Sequence, residues 1–268
     1  MMFSPISPLQ GVPNFRDLGG LETADGRKIK PHKLLRGGHL AQLTPGDRQL
    51  LTKTYDLKTV IDLRTGKERT QKPDQALPGV ENIHCPIFES KEEGITRETV
   101  TEEDPVQTAI AMAKRMEGDS FNRMCGLYGV LLEEQGIAHY REFFRHLLAQ
   151  EEGALLWHCT MGKDRCGTAA VFLETALGVP WETVVEDYLF SNVRIQPLTE
   201  QTIQAARAYT DDETLFEQMR ILDAADLAFL NTMRDKAIAL SGSLEDFLRI
   251  ELDLTDEKRE ILKARYLE

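Results

Sequence analysis

Cysteine is scarce in this sequence. The four present, Cys85, Cys125, Cys159 and Cys166, are too few and too irregularly spaced for a disulfide scaffold. No CxxC pair or histidine-rich tract offers a structural metal site, so neither a metal nor any other cofactor is expected. No apolar run approaches the ~20 residues that cross a bilayer, so stable membrane insertion is not expected. The opening stretch, MMFSPISPLQGVPNFRDLGG, lacks the basic segment followed by an apolar one that marks a secretory signal. With its few thiols reduced, the chain is expected in the cytoplasm. Positive charge is also short: 32 Lys and Arg face 44 Asp and Glu, and a net charge of −12 argues against nucleic acid as a partner.

What is present is ordinary for a soluble protein, with 41% hydrophobic and 28% charged residues, and a single domain over residues 1–268 is expected. The charge is unevenly spread. Residues 1–72 hold 13 Lys and Arg against 7 Asp and Glu, which makes this part +6 and the rest −18. An anionic ligand is therefore expected to approach the N-terminal third.

Along the chain, Gly11 to Gly20 reads as a loop, and the Asp25-Gly26 pair as a tight turn. Leu34 to Gly37, Lys58 to Leu63 and Ile83 to Phe88 read as strands, the last weakened by Pro86. Thr44-Pro45 is a helix start. Residues 91–118 are acidic and polar with weak helical periodicity, which suggests an exposed insertion or lid, and helical spacing continues from Phe121 to Leu148 with a break near Gly136. Together, residues 91–135 are expected to form a helical lid or insertion. Ala154 to His158 is a short apolar strand, Cys159 to Arg165 a loop, and Cys166 to Leu177 a helix closed by Gly178 and Pro180. Residues 180–268 are helical in pattern, with caps at Ser243 and Thr255. Strands separated by helices predict an α/β fold around a mostly parallel sheet, with the ligand beyond the carboxyl ends of its strands.

The segment WHCTMGKDRCGT, Trp157 to Thr168, puts a cysteine directly after a buried strand and an arginine six positions later at a helix start. In such a loop successive backbone N–H groups converge into an anion-binding nest at a positive helix end. The same partial charges lower the cysteine's pKa. Arginine can then grip two phosphate oxygens with its planar fork.

These residues resemble the bacterial and fungal tyrosine phosphatases marked by HCxxGKDR, within the cysteine-based phosphatase superfamily. NFRDLGG (Asn14 to Gly20), LRG (Leu35 to Gly37), IDLR (Ile61 to Arg64) with Glu68, and DYLFSN (Asp187 to Asn192) are similar to the family's other landmarks, in its order. The resemblance implies a cysteine-based phosphatase fold with Cys159 as nucleophile and Arg165 as phosphate clamp. It also implies that Thr160, Met161, Gly162, Lys163 and Asp164 form the phosphate-binding loop. Asp164 is the implied general acid, with Asp62 and Asp104 as rivals. Lys163 is implied to suit multiply phosphorylated headgroups such as phosphoinositides. One position departs from the pattern: Cys166 stands where Thr or Ser is common, and a thiol is a poorer donor to the nucleophile's sulfur. It is also placed to resolve an oxidised Cys159 as a disulfide, with Cys85 as the rival partner.

Among the supporting residues, His158 either polarises the nucleophile or satisfies backbone groups behind the loop. Asp62 and Arg64 either buttress or line the site, or form an ordinary ion pair at a strand end. Asn14, Arg16 and Asp17 are expected to give structural support, and Cys85 and Cys125 to be small core residues. The function expected is phosphate monoester hydrolysis through a phosphocysteine, on phosphotyrosine or with dual specificity, releasing inorganic phosphate. A phosphoinositide phosphatase and a non-enzymatic phosphate-binding module are the alternatives.

Overall fold

The computed structural model describes Ser4, residues 7–88 and residues 104–268. Its centre is a five-stranded sheet of β1 (Arg16–Asp17), β2 (Leu34–Gly37), β3 (Leu57–Asp62), β4 (Glu81–His84) and β5 (Ala154–His158), in the order β1-β2-β5-β3-β4. Only β1 runs antiparallel, against β2. The sheet is mostly parallel and flanked by helices, as expected.

The central strand β5 (ALLWH) is buried along its whole length. Leu155 and Trp157 face one apolar cluster, Ala154 and Leu156 the other, so a continuous apolar run is what this position requires. The first face is covered by α4 (Ser120–Val130), α5 (Glu134–Ala149), α6 (Asp164–Leu177) and the C-terminal helices α9 (Leu227–Ser241), α10 (Leu244–Ile250) and α11 (Asp256–Tyr266). The second face is covered by the N-terminal loop, through Leu9, Val12 and Phe15, and by Leu51 and Tyr55 after α1 (Pro45–Gln49). A third cluster joins α3 (Pro105–Arg115), α7 (Trp181–Ala206) and α8 (Glu213–Asp223).

Several boundaries follow from local chemistry. Thr44 caps α1, with Pro45 in the first turn, and Thr65 caps α2 (Gly66–Gln71). Both form a capping box, with Asp47 and Glu68 reaching back. Gly178 ends α6 at φ 88°, and Ser243 and Thr255 cap α10 and α11. The strand expected to reach Phe88 ends at His84 instead, because Pro86 has no N–H for the ladder. Helix α6 begins at Asp164, two residues earlier than expected, so Asp164 and Arg165 stand in its first turn.

Of the segment expected as an exposed insertion, 91–103 lies outside the described residues. Its described part, α3, buries Ile110, Met112 and Ala113 and packs on α8 and α7. Among the described residues, no helix is long and apolar enough to cross a membrane.

The register aligns the carboxyl ends of three strands. Gly37 of β2 and Asp62 of β3 both pair with His158 of β5. Cys159 follows at once, so any ligand it meets lies beyond that edge. Leu156→Ala, a large-to-small change at a wholly buried position, should lower stability by about 3 kcal/mol. Urea unfolding should show this as a lower midpoint with unchanged slope.

Candidate active site

From β5 the chain turns through Cys159 to Gly162 and enters α6. Gly162 has φ 69°, and a Cβ there would sit 2.4 Å from the Gly37 carbonyl carbon, so no other residue fits this turn. The Gly162 carbonyl oxygen accepts from Asn14 Nδ2 at 2.9 Å and Arg36 Nη2 at 3.1 Å. Arg36 also holds Asp187 at 2.6 Å, as does Arg16. Arg16 donates to Asn14 Oδ1 at 2.7 Å. The landmarks Asn14, Arg16, Arg36 and Asp187 thus form one buried network that ties down the loop from behind. Asp17 is apart from it, accepting from the Gly19 and His32 N–H groups.

Cys159 is 3% exposed. Burial by itself would push its thiol up. The hydrogen bond from the Cys166 thiol, the charge of Arg165 and the Cys166 backbone N–H outweigh burial and bring Cys159 down to about 5. Burial and the neighbouring Cys159 push Cys166 well above its ordinary value, so it remains a donor. Arg165 is clamped by Glu68, Nη1 to Oε2 at 2.6 Å and Nη2 to Oε1 at 2.8 Å, and its guanidinium lies 5.1 Å from the Phe88 ring centroid. Glu68 also accepts from the Thr160 hydroxyl. Burial opposes its charge, but Arg165 and these donors hold it down to about 2. Two of the five guanidinium N–H groups serve Glu68, which leaves others for a bound anion.

Lys163 and Asp164 form a pair at 2.7 Å, and the Lys163 ammonium also donates to the Ala224 carbonyl at 2.9 Å. His158 is wholly buried behind the loop. Its Nδ1 lies 3.3 Å from the Cys159 carbonyl oxygen and its Nε2 3.0 Å from Asp74 Oδ2. Burial would lower its pKa, but Asp62 and Asp74 raise it. Asp62 itself is gripped by Arg64 Nε at 2.9 Å and Nη2 at 2.7 Å, and Arg64 reaches Asp74 as well. Asp62, Asp74 and His158 come close enough to suggest cation ligands, but the Arg64 guanidinium already supplies the positive charge there.

A cavity of about 100 Å³ opens over Cys159. Thr160, Met161, Lys163, Asp164 and Arg165 line its floor with Glu68, and Phe88, Met112, Met124, Leu127, Met219 and Leu222 give it apolar walls. Asp62, Arg64 and Asp104 do not line it. Asp104 caps α3 and accepts from Tyr209.

The sequence pattern of the tyrosine phosphatase family matches residues 7–268. The chain belongs to the tyrosine phosphatase family. A putative tyrosine-protein phosphatase of Cupriavidus necator is 33% identical over 188 residues, 68% of this chain and 62% of that protein. A tyrosine-protein phosphatase of Nostoc commune is 28% identical over 163 residues, 61% of this chain and 49% of that protein. The chain thus spans less than two thirds of the length of these two relatives. A triple specificity protein phosphatase, PtpB, of Mycobacterium tuberculosis is 24% identical over 267 residues, covering 91% of this chain and 93% of that protein.

For this family member, sequence reasoning used Glu68 only as a landmark. Its spacing from Thr65 signals a helix cap, which it is, but nothing in that spacing places Arg165 against it. Asp74 carried no signal, and the helical spacing that includes Met124 and Leu127 does not by itself place them beside Cys159.

Two expectations follow. Alkylation of Cys159 by iodoacetate should rise with pH through about 5 and level off above it, since only the thiolate reacts. An inflection at the ordinary thiol value of about 8.5 would contradict the lowered pKa. Peroxide should convert the thiolate to a sulfenic acid, which condenses with the Cys166 thiol to give a disulfide and water. Peptide mapping should then find Cys159 linked to Cys166, and Cys166→Ala should be inactivated irreversibly. A link to Cys85 would contradict the structure, because that thiol donates to the His139 carbonyl at 3.2 Å, whereas the Cys166 thiol is turned to Cys159.

Proposed function

We propose that the protein hydrolyses phosphate monoesters through a phosphocysteine on Cys159, with phosphotyrosine in proteins as the preferred substrate. The observation that carries this reading is the lowered thiol pKa of Cys159 at the floor of an apolar-walled cavity, beside Arg165. In the first step the thiolate attacks phosphorus in line. A sulfur–phosphorus bond forms and the bond to the ester oxygen breaks, while the loop N–H groups and Arg165 stabilise the equatorial oxygens. Asp164 gives its proton to the leaving oxygen. Water then attacks phosphorus, loses a proton to Asp164, and releases inorganic phosphate and the thiolate.

Asp164 is favoured over its rivals because it alone of the three lines the cavity, whereas Asp62 is held by Arg64 and Asp104 caps α3. Thr160 to Gly162 serve as the loop's anion cradle. His158, Asp62, Arg64 and Cys166 act through the loop and the nucleophile. The walls support the substrate preference: Phe88, Leu127 and the methionines suit a phenyl ring better than a polyhydroxylated headgroup. A phosphoinositide would need a free second cation, and Lys163 is engaged by Asp164 and Ala224. A thiolate nucleophile must stay reduced, which suits the cytoplasm.

A panel of phosphotyrosine peptides, phosphoserine peptides and soluble phosphoinositides tests the reading. Phosphotyrosine should exceed both others in kcat/KM by more than about tenfold, the scale of apolar discrimination by a pocket. Cys159→Ser should lower turnover by about 10³-fold or more while phosphate still binds. Turnover within tenfold of the unaltered protein would remove Cys159 from its role, and equal rates on all three substrates would overturn the preference.

A further inference from the structure

Asp164 has one carboxylate oxygen fully engaged. Oδ1 accepts from Tyr128 Oη at 2.8 Å and from Lys163 Nζ at 2.7 Å. Among the described residues no donor reaches Oδ2, and the residue lines the cavity over Cys159. The two oxygens are therefore different before any substrate arrives.

Behind Tyr128 the hydrogen bonding continues. Its hydroxyl accepts from that of Tyr188 at 2.8 Å. An oxygen already accepting from Lys163 can only accept from Tyr128 as well, so the Asp164 end fixes the direction. Tyr188 donates to Tyr128, and Tyr128 to Asp164. Each bond polarises the next in the same sense. Burial keeps both hydroxyls protonated: it raises Tyr128 and Tyr188 above their ordinary values. The rings leave Tyr128 little room to turn, since Tyr188 packs edge-on at 6.2 Å and Phe229 at 5.8 Å.

We propose that Tyr128, backed by Tyr188, is a positioning residue for Asp164, fixing Oδ1 so that Oδ2 alone exchanges the proton with the substrate. The inference rests on the reading of Asp164 as general acid. In the first step the Oδ2 proton passes to the ester oxygen as its bond to phosphorus breaks. In the second, Oδ2 takes a proton from the attacking water as the sulfur–phosphorus bond breaks. Orientation of this kind contributes because a proton transfers well only along a short, aligned path.

The test measures kcat/KM, which reports formation of the phosphocysteine, for aryl phosphates of graded leaving-group acidity in the full chain. Tyr128→Phe keeps the ring packing and removes only the donor. It should lower kcat/KM by about tenfold or more for phenyl phosphate and by less than about twofold for 2,4-dinitrophenyl phosphate, whose leaving group needs no proton. Tyr188→Phe should show the same pattern more weakly. Inhibition by inorganic phosphate should be unchanged in both, since the loop is untouched. Asp164→Asn, measured alongside, separates the two claims. If Asp164→Asn steepens the leaving-group dependence and Tyr128→Phe does not, this proposal falls while the acid assignment stands. If Asp164→Asn leaves the dependence flat, the acid assignment falls and takes this proposal with it. Equal losses for all leaving groups in Tyr128→Phe would show a packing role only and overturn the proposal.

Discussion

A negative sulfur buried at the end of a strand is the constraint on which the rest of the site depends. Burial opposes the charge more than any other single influence, yet Cys159 ends with a lowered pKa because several weaker contributions act together. One of them, Arg165, is itself buried and needs a partner. Glu68 provides it, and is in turn held by the Thr65 cap and the Thr160 hydroxyl. Removing either Arg165 or Glu68 would leave the other as a buried charge without its partner, which is far more costly than losing an exposed ion pair.

A second buried set works from behind. Arg16 and Arg36 share the carboxylate of Asp187, while burial and Asp187 raise the nearby Glu174 well above its ordinary value, favouring its neutral form. Positive charge thus sits behind a loop whose front is shaped for an anion, and Arg36 touches the loop directly at Gly162. The helices after the loop complete the front. Ala224, between α8 and α9, takes the Lys163 ammonium, Met219 and Leu222 of α8 enter the wall, and Phe229 of α9 packs on the Tyr128 ring behind Asp164. The C-terminal region therefore contributes to the cavity over Cys159 as well as to the core.

Much of this was legible in the sequence. A parallel sheet shows itself in short apolar runs such as Leu155 to Trp157, because strands buried on both faces need no polar alternation. Cys159, Gly162 and Arg165 are legible because their roles depend on spacing within one short loop, and local spacing is written directly in the chain. Capping residues such as Thr44, Ser243 and Thr255 are legible for the same reason. The strand ending at His84 was misjudged by a few residues because apolar character continues into Cys85, Ile87 and Phe88, although Pro86 breaks the ladder.

The sequence alone therefore determined the sheet class and the turn from Cys159 into the helix that carries Arg165, products of interactions between near neighbours. The resemblance implies Asp164 ahead of Asp62 and Asp104, but only the tertiary structure decided which of the three carboxylates lines the cavity: Asp62 is held by Arg64, Asp104 caps a helix, and Asp164 lines it. The tertiary structure alone decided that Glu68 meets Arg165, 97 residues away, and that Lys163 meets Ala224, 61 residues away. Contacts across such separations depend on how the sheet and helices pack, and no local pattern of residues encodes them.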